Sequence, residues 1–374
     1  MTNTLKKTNQ ATTVLNKLKE LKIFKILDEN TQNILFIGDA AILEYLKTEL
    51  KQRKPQAAFN PIEFDSDNPE LCWQKLDKNN EYISQSIQTI VIASLKHEQD
   101  IYQGVKSKFD HKILRLFDDI FINLVTQRDI FAPIPQDLPE PKNSYCILST
   151  PRSGSTMFCD ALASTGLAGF PKEHLREPSI ALEQHGNFDS ERYIRAIKSL
   201  HTSPNSVFGT KLISHFIERY IFLTEGKLNP LDYFDNFIYL VRQDKVAQAV
   251  SLFMAQKSGV WKISKAEKLS EYRDKVDNKD ITNDDLQQVH RLHDRLLKEE
   301  KYLEQLCDRH NIQPLVVNYE DLTADLHGNI AKVLRYLNII SESGTSSFDI
   351  SLREKKLASQ KSQELIKLYR QKFG

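Results

Sequence analysis

The sequence predicts an α/β fold: a P-loop-like parallel sheet flanked by helices, preceded by a small Rossmann-like α/β domain. Three observations carry this reading. Short apolar runs alternate with stretches of helical periodicity, which implies parallel strands covered by helices. A proline-rich segment interrupts the pattern near residue 140. Directly after it, a strand-like run leads into a serine- and glycine-bearing turn and then a helix.

Residues 1 to about 30 read as helical, with Val14, Leu18, Leu21 and Phe24 at helix-like spacing. Asn33 to Asp39 is a short apolar run ending in Gly38-Asp39, and a helical segment from Ala41 to Lys51 comes next. A second run, Thr89 to Leu95, precedes a helical stretch ending near Phe109, and a third, Lys112 to Phe117, closes a small α/β layer. The dinucleotide fingerprint needs three glycines, and this turn has only Gly38 followed by an acid that opposes a phosphate at the helix N-terminus. Residues 132–144 carry four prolines and read as a linker. The expected domains are therefore 1–140, an α/β domain whose role the sequence leaves open, and 141–374.

The chain has 374 residues and a formal net charge of +1. Such balance argues against nucleic acid as the main partner, since polyanion-binding proteins carry a basic excess. The N-terminus shows no signal-peptide pattern, and the longest apolar runs are far too short to span a bilayer. Cys72, Cys146, Cys159 and Cys307 are widely separated, with no metal-ligand spacing. These features point to reduced thiols, a cytoplasmic location and no metal site.

The chemistry concentrates at Pro151-Arg152-Ser153-Gly154-Ser155-Thr156. Tyr145 to Ser149 reads as a buried strand, and Met157 to Ser164 as a helix. Gly154 permits close backbone approach, and the N–H groups opening the helix face whatever lies above the turn. Ser153, Ser155 and Thr156 add hydroxyls, and Arg152 adds a permanent charge. The turn suits a phosphate or sulfate. It lacks the first glycine and the Lys-Ser/Thr ending of a Walker A loop. On its own, a serine-rich connecting turn with one arginine is an equally good reading.

Its surroundings resemble a known family. The turn is similar to the 5′-phosphosulfate loop of sulfotransferases that use 3′-phosphoadenosine 5′-phosphosulfate (PAPS). The run from Tyr145 to Glu173, including Thr165-Gly166-Leu167-Ala168-Gly169-Phe170-Pro171-Lys172-Glu173, resembles the bacterial trehalose 2-sulfotransferase family, with its lipopolysaccharide and nodulation-factor relatives. Val207 to Leu212, Ile238 to Ser251, Val260-Trp261, Val317 to Leu322 and the basic tail from Lys356 to Arg370 match further family segments in order. The resemblance covers about residues 143–374 and implies the sulfotransferase fold.

By that resemblance, Arg152 would stabilise charge on the leaving oxygen, and Ser153, Gly154, Ser155 and Thr156 would hold the 5′-phosphosulfate. Arg242 and Ser251 would clamp the 3′-phosphate, although Ser251 lies nine residues after Arg242 where many members have eight. Lys356, Lys361 and Ser362 would close over the same phosphate from the tail; an exposed basic helix would look the same. Glu173 would be the general base on the acceptor hydroxyl, and its neighbours His174-Leu175 replace two aromatics of the family. His174 is the second candidate for the base or an acceptor contact, and Lys211 could reach the transferred sulfonate. A surface carboxylate and a strand-edge lysine are the plain alternatives for Glu173 and Lys211.

The implied reaction is transfer of a sulfuryl group from PAPS to a hydroxyl of a sugar, glycolipid or natural product, with 3′,5′-adenosine bisphosphate as product. The alternatives are a kinase-like P-loop nucleotide-binding protein and an inactive nucleotide-binding module. The family is dimeric, so a homodimer is expected. Residues 175–206 and 262–283 are the expected acceptor walls.

Overall fold

The computed structural model describes residues 33–53, 58–94, 97–120, 122–123, 134, 140–176, 190–223, 229–261, 280–341, 348–351 and 360–374. The helix expected over residues 1–30 and most of the linker lie outside the described residues. So do Lys356 and most of the segment 262–283. The chain groups into two compact units. The first is Met1–Pro139 with Glu177–Leu200 and Phe222–Leu228, and the second is Glu140–Arg176, His201–Ile221 and Asn229–Gly374. The first unit is therefore not one continuous stretch of sequence. Among the described residues, no helix is long and apolar enough to cross a membrane.

The first unit holds β1 (Asn33–Gly38), α1 (Ala40–Arg53), β2 (Ala58–Glu63), α2 (Pro69–Lys78), α3 (Asn80–Ser86), β3 (Thr89–Ala93), α4 (Glu98–Lys106) and β4 (Lys112–Arg115). The strands form a parallel sheet in the order β2-β1-β3-β4. β3 is buried along its whole length, as an interior parallel strand must be. Leu35, Ile37, Ile90 and Ile92 meet Cys72, Leu76, Ile83, Ile101 and Val105 in one core. The sequence pattern does not predict β2. It is an edge strand, half exposed, with Pro61 in its middle, and an edge is where a strand tolerates proline.

β4 runs into a π-helical turn, Leu116–Ile120. There Arg115 is paired with Asp118 at 2.8 Å and Asp119 at 3.0 Å. Arg192, on α5 (Ser190–Leu200) of the same unit, joins the same two carboxylates at 2.8 and 2.6 Å. Hydrogen bonding and charge from Asp118 and Asp119 outweigh burial and raise the Arg115 pKa.

The second unit begins with β5 (Asn143–Ser149) and α6 (Ser155–Ser164). It continues through β6 (Val207–Ile213), α7 (Ser214–Leu223, of which the second unit includes the part up to Ile221), β7 (Asn236–Val241), α8 (Lys245–Ser258) and α9 (Asn283–Arg309). It ends with β8 (Leu315–Asn318), α10 (Tyr319–Ala324), α11 (Leu326–Tyr336) and α12 (Gln360–Phe373). Its sheet is again parallel, in the order β6-β5-β7-β8.

Tyr145, Ile147, Phe158, Leu162, Ile238 and Leu240 build the core under α6 and α11. The Tyr145 hydroxyl donates to the Ala168 carbonyl at 2.7 Å, and its ring fills the space beside Gly209, where a Cβ would stand 2.5 Å from it. α9 starts with a reciprocal cap between Thr282 and Asp285. Val289 and Leu296 of α9 pack with Phe253 of α8 and Leu365 and Tyr369 of α12. All four cysteines are free and buried.

Candidate active site

β5 ends at Ser149, and the chain turns through Thr150–Gly154 into α6. Two residues of this turn take left-handed backbone: Arg152 at φ 63° and Gly154 at φ 91°. The glycine is needed twice over. Its φ disfavours a side chain, and a Cβ there would stand 2.3 Å from Cδ2 of Tyr319. For Arg152, the left-handed geometry costs conformational energy that its contacts must offset.

Those contacts come from α8 and the chain just beyond it. Arg152 Nε donates to Ser251 Oγ at 3.1 Å, and Nη1 donates to the Trp261 carbonyl at 2.8 Å. The Trp261 side chain itself is 49% exposed, so it is not a core residue. Gln248, fully buried, donates from one amide nitrogen to Thr150 Oγ1 at 2.8 Å and to the Pro151 carbonyl at 2.7 Å. Gln248 and Ser251 are three apart on one helix and so share a face, and together they hold both sides of the turn.

Arg242 lies just beyond β7. Its Nη1 donates to the Arg152 carbonyl at 3.2 Å, and its guanidinium carbon lies 4.8 Å from the centre of the Tyr319 ring. The Glu320 carboxylate accepts from the backbone N–H of Gln243 at 3.1 Å and of Asp244 at 3.2 Å, which fixes the turn that carries Arg242. Asp244 then caps α8 through the Ala247 N–H at 3.0 Å.

Glu173 is placed by a short extension of the sheet. The Lys172 carbonyl accepts from the Lys211 N–H and from Thr210 Oγ1, each at 3.0 Å, so residue 172 pairs with β6. Lys211 Nζ then reaches both Glu173 Oε1 and Thr156 Oγ1 at 3.0 Å. The lysine side chain is 5% exposed and the glutamate 30%. One buried cation thus ties the first turn of α6 to a carboxylate with an open side.

Some buried polar atoms around the turn have no partner: Ser149 Oγ, Ser153 Oγ and Arg242 Nε. A buried donor without a partner costs about 1–3 kcal/mol, and one that awaits an anion is a usual exception.

Direct contacts thus join Arg152, Arg242 and Ser251 in one group and Thr156, Lys211 and Glu173 in another, and the chain from 152 to 156 carries both. His174 is placed differently. It is buried against His201 and Phe208, and a ring nitrogen lies 3.2 Å from the Phe170 carbonyl oxygen. Burial, with the neighbouring His201, lowers its pKa from 6.5 to about 3. Lys361 pairs with Glu364 within α12 at 3.3 Å. Ser362 lies in the same first turn of that helix. Sequence reasoning does not single out Gln248, Tyr319 or Glu320 as site residues. Their signal is the family-like segments that contain them, Ile238 to Ser251 for Gln248 and Val317 to Leu322 for Tyr319 and Glu320.

No curated protein matches the chain. A family model, described as Stf0 sulphotransferase, matches residues 144–372 and so takes in β5, the turn, Glu173, Arg242 and α12. By this match over more than half its length, the chain belongs to the Stf0 sulphotransferase family, whose chemistry is sulfuryl transfer.

Proposed function

We propose that the protein transfers a sulfuryl group from PAPS to a hydroxyl of a small-molecule acceptor, a sugar, glycolipid or natural product, with Glu173 as general base. One observation carries the reading: two arginines meet at one left-handed turn, a lysine–glutamate pair joins the first turn of the helix that follows it, and Ser153 Oγ and Arg242 Nε are buried without partners. A bisphosphate fits such a donor set, with separate cations for its two ends.

The residues that would hold the 5′-phosphosulfate are Ser153, Gly154, Ser155, Thr156 and Arg152. The N–H groups that open α6 and the serine hydroxyls supply donors to an anion. Arg242 would take the 3′-phosphate. Ser251 accepts from Arg152 Nε and so orients that guanidinium, and its own O–H would donate to the 3′-phosphate. PAPS supplies an activated sulfuryl group whose sulfur–oxygen bond to phosphate breaks as the bond to the acceptor oxygen forms.

Arg152 remains protonated, so it acts on charge developing at the leaving oxygen and donates no proton. Lys211 lies between Thr156 and Glu173, where it can face the transferred sulfonate. Glu173 takes the acceptor proton. Its carboxylate is partly exposed, whereas His174 is enclosed by aromatic rings and bonded to backbone, which favours Glu173 as the base. Positioning and electrostatics then carry the catalysis, as in phosphoryl transfer.

Titration calorimetry with 3′,5′-adenosine bisphosphate and with ATP tests the reading. Binding of the bisphosphate well ahead of ATP is expected. Tighter ATP binding, or no bisphosphate binding, would sink it.

A further inference from the structure

A protein can hold a guanidinium with a carboxylate or with the face of an aromatic ring. The carboxylate neutralises the charge and occupies the N–H donors. The ring face fixes the plane of the group and leaves both available. Two arginines among the described residues show the difference. Arg115 lies over the Tyr102 ring at 4.8 Å, but Asp118 and Asp119 pair with it and occupy its donors. Arg242 lies over Tyr319 at 4.8 Å, with one hydrogen bond to the Arg152 carbonyl and a buried, unpartnered Nε, and no carboxylate among the described residues pairs with it.

The ring of Tyr319 has a second contact. It fills the space where a side chain at Gly154 would be, 2.3 Å from the position of a Cβ. Tyr319 is the first residue of α10, and the next residue, Glu320, fixes the turn after Arg242 through the N–H groups of Gln243 and Asp244. The start of α10 therefore sets the phosphate-loop glycine and the arginine of the other anion subsite against one rigid ring.

We infer that Tyr319 is a positioning residue that fixes the plane of Arg242, leaves its N–H donors open and links it to the turn at Gly154, so that it sets the selectivity for ligands carrying a 3′-phosphate. The inference rests on the bisphosphate reading above. The ring face acts, and the hydroxyl does not.

The experiment compares 3′,5′-adenosine bisphosphate with adenosine 5′-monophosphate, by calorimetry, on the full chain. Tyr319→Phe should keep the wild-type preference for the bisphosphate. Tyr319→Leu should lower bisphosphate affinity about tenfold more than it lowers monophosphate affinity. Phenylalanine analogues of rising fluorine content at position 319 keep the shape and drain the ring face of electron density. Across that series, bisphosphate affinity should fall step by step while monophosphate affinity stays level. This series also serves if Tyr319→Leu fails to fold.

Equal losses for the two ligands, a flat fluorine series, or Tyr319→Phe behaving like Tyr319→Leu would each overturn the inference. If the wild type shows no preference for the bisphosphate, the reading of the site fails and the inference with it. A preference in the wild type with a flat fluorine series removes the inference alone.

Discussion

The two sheets have the same strand order, second–first–third–fourth, and differ in the turn that leaves the first strand. In the first unit β1 ends in Gly38-Asp39. A Cβ on Gly38 would stand 2.0 Å from the Ala93 carbonyl oxygen, so this glycine serves close strand packing. The Asp39 carboxylate accepts from Ser94 Oγ at 2.8 Å and lies just before α1, where an anion would otherwise sit. In the second unit the equivalent turn carries Arg152 and three hydroxyl residues, and Arg242, Gln248 and Tyr319 surround it. Both topologies present a helix N-terminus at the end of an interior strand. The charge next to it decides whether that end can receive a phosphate.

The largest expected effect tests whether chemistry is confined to the second unit. Glu173→Gln keeps the size and a hydrogen-bonding partner for Lys211 and removes the base. Turnover with labelled PAPS over a panel of glycans and glycolipids should fall by about 10²–10⁴-fold, with bisphosphate affinity nearly unchanged. Retention of most activity would send the search for the base elsewhere.

The two turn glycines give the next contrast. Gly154→Ala drives a methyl into the Tyr319 ring at a left-handed φ, so bisphosphate affinity should fall by more than about tenfold and stability by about 1–3 kcal/mol. Gly38→Ala should lower stability by a similar amount, about 1–3 kcal/mol, and leave bisphosphate affinity alone. Denaturant melts and calorimetry on the two variants read both quantities. A matching loss of affinity in Gly38→Ala would erase the distinction between the turns.

The smallest effect separates fold from chemistry within the second unit. His174 has its pKa lowered from 6.5 to about 3, mainly by burial. The unfolded chain therefore takes up a proton that the folded chain refuses. The stability this confers is complete above pH 6.5 and is lost as pH falls from there toward 3. His174→Phe should flatten the stability profile in that window without moving the pH dependence of turnover. An unchanged slope, measured by chemical denaturation at several pH values, would show that His174 is protonated in the fold.

The interior strands were legible because parallel strands buried on both faces read as continuous apolar runs, as in Thr89–Ala93 and Asn236–Val241. β2 was not legible. An edge strand needs no such run, and its Pro61, Asn60 and Glu63 look like a loop. In the site, Arg152, Glu173 and Arg242 stood out because their segments resemble those of the sulfotransferase family, and Arg152 also because it puts a permanent charge on a turn suited to an anion. Gln248 and Tyr319 did not, since a buried glutamine and a half-buried tyrosine are ordinary residues until their partners are known.

The sequence by itself determined the alternation of strands and helices, the anion-suited turn at Pro151–Thr156 and the residue types that sulfuryl transfer needs. These depend on local periodicity and on the intrinsic charge of each side chain. Only the tertiary structure decided that Lys211 joins Thr156 to Glu173, that His174 is enclosed, and that one tyrosine ring touches both Gly154 and Arg242. Glu173 and Lys211 are 38 residues apart and meet because residue 172 pairs with β6; Gly154 and Tyr319 are 165 apart and meet across the sheet. Contacts at such separations are set by strand register and packing, which no local pattern records.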